Sequence, residues 1–208
     1  TNNDIIITAD NFEYNKSTLL LKANGSVKLI DTSQNITIES NEIFYEKDKE
    51  QIYTKGKSKA SNTANILIFA DEYFKYNKLT TLLEAKKNVL IYDKEKDITI
   101  KTNDFFYLQK EEKFFTKNET EVTIGKLYTI DTKDLIFLRN QDLLSSKRKT
   151  LLKDFKLNNV YKLIDFEYSV DEEILKGKKI EITTKNKKKD SDEYFFETGF
   201  FNLKENKF

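Results

Sequence analysis

Residues 36–60, ITIESNEIFYEKDKEQIYTKGKSKA, constrain the fold more than any other feature, because the chain restates this stretch loosely before and after it. Its first half alternates Ile36, Ile38 and Ser40 with Thr37 and Glu39, then turns at Asn41 into Ile43, Phe44 and Tyr45. A period of two is the signature of a strand with one buried face. A charged turn at 47–50 leads into Ile52, Tyr53 and Thr54 and then Gly56, so each unit reads as a strand, a corner and a returning strand. Related text recurs at 5–16 (IIITADNFEYNK), 66–78 (ILIFADEYFKYNK), 98–110 (ITIKTNDFFYLQK) and, degraded, 128–140 (YTIDTKDLIFLRN). The residue after a small side chain, at Asp10, Asn41, Asp71, Asn103 and Lys133, marks steps of 31, 30, 32 and 30 residues. A fixed period of this length means one unit stacked on the next. An aromatic follows the mark by four residues at Tyr14, Tyr45, Tyr107 and Phe137, whereas Tyr76 comes one later, as a single-residue bulge would allow.

The 208 residues hold no His and no Cys, which excludes the imidazole, thiol and usual zinc chemistries, and no enzymatic activity is expected. Lys and Arg number 36 against 35 acids, so no strong field selects nucleic acid. With 38% hydrophobic residues the chain can build a core, and no apolar run has the length of a membrane-spanning helix. The absence of Met creates the expectation that further residues, a signal peptide for example, precede Thr1 in the gene product.

Along the chain, Asn24-Gly25 is a strong hairpin signal taken alone. The equivalent places read Lys55-Gly56, Lys86-Lys87 and Lys117-Asn118, which suit a bend in a continuing strand, so Gly25 and Gly56 are expected at a sheet corner. Short polar connectors imply neighbouring, mostly antiparallel strands. From about residue 140 the beat weakens. Residues 142–152, DLLSSKRKTLL, fit either one helical turn or an irregular strand pair, and inward alternation is expected to resume at Phe155, Leu157 and Val160, then at Ile164, Phe166, Tyr168 and Val170.

The run TADNFEYNKSTLLLKANGSVKLI, a small residue with Asp or Asn, an aromatic, a turn, an apolar strand, Gly and Val, resembles the OstA-like domain of the lipopolysaccharide transport proteins. The resemblance covers about 5–138 well and the remainder weakly. Within that family the length and the trailing section look most like the periplasmic N-terminal domain of the LptD branch, rather than the shorter free LptA or the membrane-anchored LptC branch. Cysteines common around that domain are missing here. The resemblance implies a single all-β domain over 1–208, an elongated, V-shaped antiparallel β-jellyroll. It also implies a periplasmic location as part of an outer-membrane protein. Lipopolysaccharide would be the ligand, without a cofactor or metal. An LptA-like bridge protein would dock by edge-strand addition, and an outer-membrane barrel with its lipoprotein would be the downstream partner.

Alternation places Ile5, Ile7, Leu21, Val27, Ile36, Ile38, Ile43, Tyr45, Ile52, Ile66, Ile68, Leu83, Val89, Ile91, Ile98, Ile100, Phe105, Tyr107, Phe114 and Val122 on inner faces, with Ile124 and Ile130 continuing the row. The resemblance makes the first twenty candidates for contact with acyl chains. A dry sandwich core accounts for the same residues, so a structural solenoid stalk or adhesin module without a ligand is the alternative. A carbohydrate-active β-helix would need a cluster of acids on one face, which the repeat lacks. The acids Asp10, Asp71 and Asp104 recur with the repeat and read as turn devices whose oxygens cap backbone N–H groups, rather than as a catalytic pair or a calcium site. The basic tracts at 147–149 and 185–189 read as solvated hairpin tips. Asp4, Ile5, Ile6, Ile7 and Thr8 form a candidate partner edge, carrying three isoleucines and neither Pro nor Lys, and Ile6 is the position at which proline is expected to delete a free donor.

Overall fold

The computed structural model describes residues 4–185 and 191–205, and among them the chain is all-β: eighteen strands joined by turns and three single turns of 3-10 helix. The chain divides into two compact units, Thr1–Lys110 and Glu111–Phe208. The first contains β1 (Ile5–Thr8), β2 (Asn11–Asn15), β3 (Leu20–Asp31), β4 (Ile36–Glu46), β5 (Gln51–Thr54), β6 (Ser58–Asn62), β7 (Ile66–Ala70), β8 (Tyr73–Asn77), β9 (Leu82–Asp93) and β10 (Ile98–Leu108). The second contains β11 (Lys113–Ile124), β12 (Tyr128–Lys133), β13 (Ile136–Leu138), β14 (Leu143–Ser146), β15 (Thr150–Asp154), β16 (Asn159–Ser169), β17 (Ile174–Lys185) and β18 (Ser191–Asn202).

Register explains how one chain makes two apolar leaves in the first unit. Strand β4 pairs with β6 through Ile36–Ser40 and with β5 through Ile43–Glu46, so its two halves belong to different leaves. Strands β3, β9 and β10 are divided in the same way, with the register slipping between Asn24 and Val27 in β3 and between Thr102 and Asp104 in β10. These slips let the backbone bend without losing the inward alternation, as a bulge does. Gly25 and Gly56 take φ of +80° and +76° at such corners, as the sequence leads one to expect. Near the corner the leaves converge, and the buried side chains there are small: Ala23, Ser40, Thr54, Ser58, Ala70 and Ala85. The hydroxyls among them satisfy one another, Ser58 Oγ lying 2.7 Å from Thr54 Oγ1 and 3.0 Å from Ser40 Oγ, so that it donates to one and accepts from the other. Phe74 and Phe105 flank Ala85, and further from the corner Ile38, Ile52 and Ile91 fill the interior; all five are fully buried.

The leaf ends are joined by tight turns that share one chemistry. An Asp or Asn opens most of them and accepts backbone N–H groups two and three residues on: Asn15 from Ser17 and Thr18, Asp31 from Ser33 and Gln34, Asp93 from Glu95 and Lys96, Asp154 from Lys156 and Leu157. A left-handed residue closes each, at Leu19, Asn35, Glu50, Asn65, Thr81, Asp97, Glu112, Asp142, Asn158 and Glu173. Such a residue costs about 1 kcal/mol when it is not Gly, so the register it fixes must be held by the inner rows on either side.

The second unit repeats the scheme, and several sequence expectations change. Residues 142–152 are two ordered strands, β14 and β15, around a corner at 147–149, not a helical turn. The beat in the sequence weakens past 140, yet the buried row continues there through Leu144, Leu152, Tyr161 and Phe166. Phe155 is exposed, Leu157 lies with it in the turn after β15, and Val160 is on the outward face; the inward row there is Leu152, Asp154, Asn159, Tyr161 and Leu163. The extra residue before Tyr76 is not a bulge within a strand. It is Glu72, absorbed in the corner between β7 and β8, where its carbonyl accepts the Gly56 N–H at 2.7 Å.

The corner reading makes a prediction. A Cβ at Gly25 would collide with the Asp10 carboxylate, whereas one at Gly56 meets nothing within 4 Å. Gly56→Ala is expected to cost about 1 kcal/mol for its left-handed backbone, and Gly25→Ala about 1 kcal/mol more. In a double-mutant cycle read by denaturant unfolding, Asp10→Ala, which removes the carboxylate but leaves the residue-10 Cβ 2.9 Å away, should relieve only part of the extra cost of Gly25→Ala.

Candidate functional site

The inner row of the first unit is open at one end. Strands β1 and β2 pair only with β3 among the described residues, so inner side chains there have no further strand to cover them. Phe12 lies opposite buried Ala23 and Tyr14 opposite Leu21, hence both face inward, yet each is about half exposed (50% and 49%). Together with Ile5, Ile7, Leu21, Tyr45 and Leu79 they line a mouth of about 900 Å³. Its rim carries Asp4, Gln34, Lys47, Glu50 and Lys78. An apolar cavity with a charged rim suits a ligand with a hydrocarbon part and a polar head.

The twenty inner candidates therefore fall into groups. Ile5, Ile7, Leu21 and Tyr45 line the mouth. Ile36, Ile66, Ile68, Leu83 and Tyr107 surround a gap of only about 10 Å³ deeper in the first unit. Val27, Ile38, Ile43, Ile52, Val89, Ile91, Ile98, Ile100 and Phe105 are packed inside the same unit, and Phe114 and Val122 inside the second. Sequence reasoning missed Phe12 and Tyr14 as lining residues, although continued alternation through 12 and 14 carried the signal. The rim residues Gln34, Lys47, Lys78 and Leu79 lie on turns, and no periodicity marks them.

Away from the corner, the leaf ends of the first unit are laced together by polar contacts. Tyr76 Oη donates to Asp31 Oδ2 at 3.3 Å, and Asn62 Nδ2 to Tyr107 Oη at 3.4 Å. Gln109 Nε2 donates to the Gln34 carbonyl, and Lys78 Nζ stands 3.7 Å from Asp4 Oδ2. Burial, then the neighbouring Asp31 carboxylate, raises the Tyr76 hydroxyl pKa well above its ordinary value, so it stays a donor. Tyr45 Oη donates to Glu50 Oε2 at 2.8 Å at the rim and is raised likewise, mainly by burial.

The second unit is filled by rings instead. Tyr128 and Tyr168 lie 5.8 Å apart, Phe114 and Phe137 5.6 Å, and Tyr161 and Phe201 6.0 Å. Tyr128 Oη donates to Glu173 Oε2 at 2.6 Å. Beside them Asp154 Oδ2 and Tyr168 Oη are buried without a hydrogen-bond partner among the described residues.

Of the three recurring acids, Asp10 lies beside Gly25, while Asp71 and Asp104 flank the corner of β9 at 86–88. Asp71 accepts from the Asn88 side chain at 2.8 Å, and Asp104 stands 3.9 Å from Lys86 Nζ. The backbone caps at corners come from their neighbours, Asn103 on Asn88 N and Asp134 on Asn118 N, both at 3.1 Å. In the basic corner at 147–149, Lys147 bonds Asp165 at 2.5 Å and Arg148 bonds Asp134 at 2.7 Å. Residues 186–189 of the second basic tract lie outside the described residues.

The partner-edge expectation needs one correction. Thr32 N donates to the Asp4 carbonyl, so Asp4 and Thr32 form a hydrogen-bonded pair, and with the register Ile6↔Ile30 the next such pair contains Ile6. The Ile6 N–H therefore belongs to the β1–β3 ladder. The donors that point to the open side are those of Ile5 and Ile7.

No family model matches the chain, and no curated protein matches it. Among solved structures it is similar to the crystal structure of LptH, the LptA homologous periplasmic component of the conserved lipopolysaccharide transport device from Pseudomonas aeruginosa. The identity is 11% and the TM-score 0.49, over 54% of this chain and 81% of that one.

The buried carboxyl of the second unit gives the site a pH signature. Burial raises the Asp154 pKa, against the turn N–H groups of Leu157 and Lys156, with Glu173 adding to the rise and Lys156 opposing it. A raised folded pKa means that the contribution of Asp154 is full below the ordinary value of 3.8 and is lost as pH climbs above it. Asp165 acts oppositely: Lys147 and Lys178 hold it at about 2, so its contribution is present above 3.8 and lost as pH falls from 3.8 to about 2. Asn62 occupies the same turn position in the first unit, so Asp154→Asn keeps the cap. It is expected to stabilise the protein by about 1 kcal/mol at neutral pH and to flatten the stability profile between about pH 4 and pH 7, read by denaturant titration.

Proposed function

We propose that this chain is a non-enzymatic lipid-binding module of a periplasmic lipopolysaccharide transport system, which receives acyl chains at the mouth of its first unit and passes the lipid towards an outer-membrane translocon. The observation that carries the reading is the apolar mouth of about 900 Å³ at the end of an inward row of isoleucines, with Lys47 and Lys78 at its rim. The OstA-like character of the repeat supports the same reading independently of the geometry. Each methylene moved from water into the mouth contributes about 0.8 kcal/mol, so part of one acyl chain suffices for measurable affinity.

The finer assignment, that the module is the periplasmic part of an LptD-type outer-membrane protein served by an LptA-like bridge, is supported by the free backbone edge at β1. The alternative, a ligand-free stalk, is favoured by the packing beyond the mouth, where the interior leaves only about 10 Å³.

Two measurements separate the readings. A photo-reactive residue at Tyr14 or Leu21 should capture lipopolysaccharide, while one at outward Thr37 or Lys101 should not; equal labelling of both sets, or of neither, removes the transport reading. For docking, Ile5→Pro deletes a donor on the open side of β1. The variant should keep the parent's circular dichroism spectrum and lose capture of the upstream bridge protein at least tenfold. Undiminished capture would reject edge pairing at β1.

A further inference from the structure

The outer face of the second unit carries a cavity that the lipid-binding reading does not use. It holds about 530 Å³ and lies where β15, β16 and β17 approach their corner. Its floor is Leu151 and Ile164, both half-buried, and exposed Lys149, Lys162 and Lys179 stand around them. We propose that this cavity binds a small phosphate monoester, its phosphate held between Lys149 and Lys179 and its apolar body lying on Leu151 and Ile164.

Register builds the cavity. Asp131, Leu151, Lys162 and Glu181 are partners in turn across β12, β15, β16 and β17, so their side chains form one rung on the outer face. In the first unit the run from Thr54 to Ser58 corresponds to that from Ser146 to Thr150, which puts Lys59 at the place of Leu151. Lys59 is spent there on Glu39, at 3.1 Å. The aliphatic floor is therefore a departure from the repeat and not a consequence of it. Towards the corner, β17 places three steps, Lys178 to Glu181, against two of β16, Ile164 to Lys162. Lys179 sits in that slip with φ of +48°, and a bulge of this kind re-aims a side chain, here to the cavity wall beside Lys149.

Charge selects the ligand. Both acids of the rung are matched, Glu181 by Lys162 and Asp131 by Lys153, each at 3.4 Å. At the neighbouring corner Lys147 and Lys178 share Asp165, and Arg148 holds Asp134. Among the described residues Lys149 and Lys179 make no ion pair, so two positive charges are left over at one cavity of a chain whose formal net charge is only +1. A phosphate monoester carries about −1.5 to −2 at pH 7 and matches both ammonium groups, whereas a carboxylate brings one charge. A flat anionic bilayer fits less well, because it would be pressed against Asp131 and Glu181 as well as the lysines.

The test titrates phenyl phosphate, inorganic phosphate and benzoate into the full chain by isothermal calorimetry at low salt and pH 7.5. Phenyl phosphate should bind at least fivefold more tightly than either of the others. Its affinity should fall at least tenfold in the double variant Lys149→Gln, Lys179→Gln and stay within twofold in Lys147→Gln. It should also weaken at pH 5, where the phosphate, with a second pKa of about 6, loses charge and the lysines do not. Ile164→Thr should weaken phenyl phosphate and leave inorganic phosphate unchanged. Absence of binding at millimolar phenyl phosphate, equal affinity of the parent and the double variant, or an equal loss in Lys147→Gln overturns the site. Sedimentation with phosphatidylglycerol vesicles that the double variant loses, in a parent that ignores phenyl phosphate, assigns the lysines to a membrane surface and overturns it too. The lipid-binding reading of the first unit is untouched by either result.

Discussion

The long strands β3, β4, β9 and β10 must keep one row of side chains pointing inward while the backbone passes from one leaf to the other, and the corner is where that requirement is met. A strand that simply bent would rotate its alternation out of register and put isoleucines into water. The extra residues at the slips, within 25–26 of β3 and 87–88 of β9, absorb the bend, and the small buried side chains nearby, Ala23, Ser40, Thr54 and Ser58, let the leaves converge. The left-handed residues of the turns then return the chain in register. Strain at each turn is about 1 kcal/mol, whereas burying one Ile or Phe contributes about 1.5–3 kcal/mol, so the inner rows hold the turns and not the reverse.

The same layout decides what the interior can do. Away from the corner, the two leaves of the first unit touch through polar side chains at the leaf ends, and such bonds contribute about 0.5–1.5 kcal/mol net each. Two methylenes of a bound chain match one of them. The corner side, by contrast, is covalent backbone. The first unit mixes isoleucines with the buried rings of Phe74, Tyr76, Phe105 and Tyr107 and is open at one end, whereas in the second unit Tyr128, Tyr161, Phe166 and Tyr168 occupy the inner row.

Class, antiparallel pairing, corner positions and most of the inner row were legible in the sequence, because all follow from a period of two within a period of about thirty-one. Beyond residue 140 the reading slipped at Phe155 and Leu157, which look like an inward pair but sit in the turn that Asp154 caps. Alternation alone does not say where a turn resets its phase. The mouth was only half legible: Ile5, Ile7, Leu21 and Tyr45 follow from alternation, but that they face a cavity depends on which strand is last in the row. The lacing was invisible, since Asp31 and Tyr76 are forty-five residues apart on different leaves. The direction of the Ile6 N–H likewise depends on hydrogen-bond phase, which composition does not carry.

The central claim, that lipid enters the first unit at the end formed by β1 and β2, is tested most directly by hydrogen–deuterium exchange with and without lipopolysaccharide. The account predicts that added lipid slows exchange in peptides covering 4–21 and 34–50 and leaves the second unit unchanged. Unaltered exchange in those peptides, or equal slowing across both units, would contradict it.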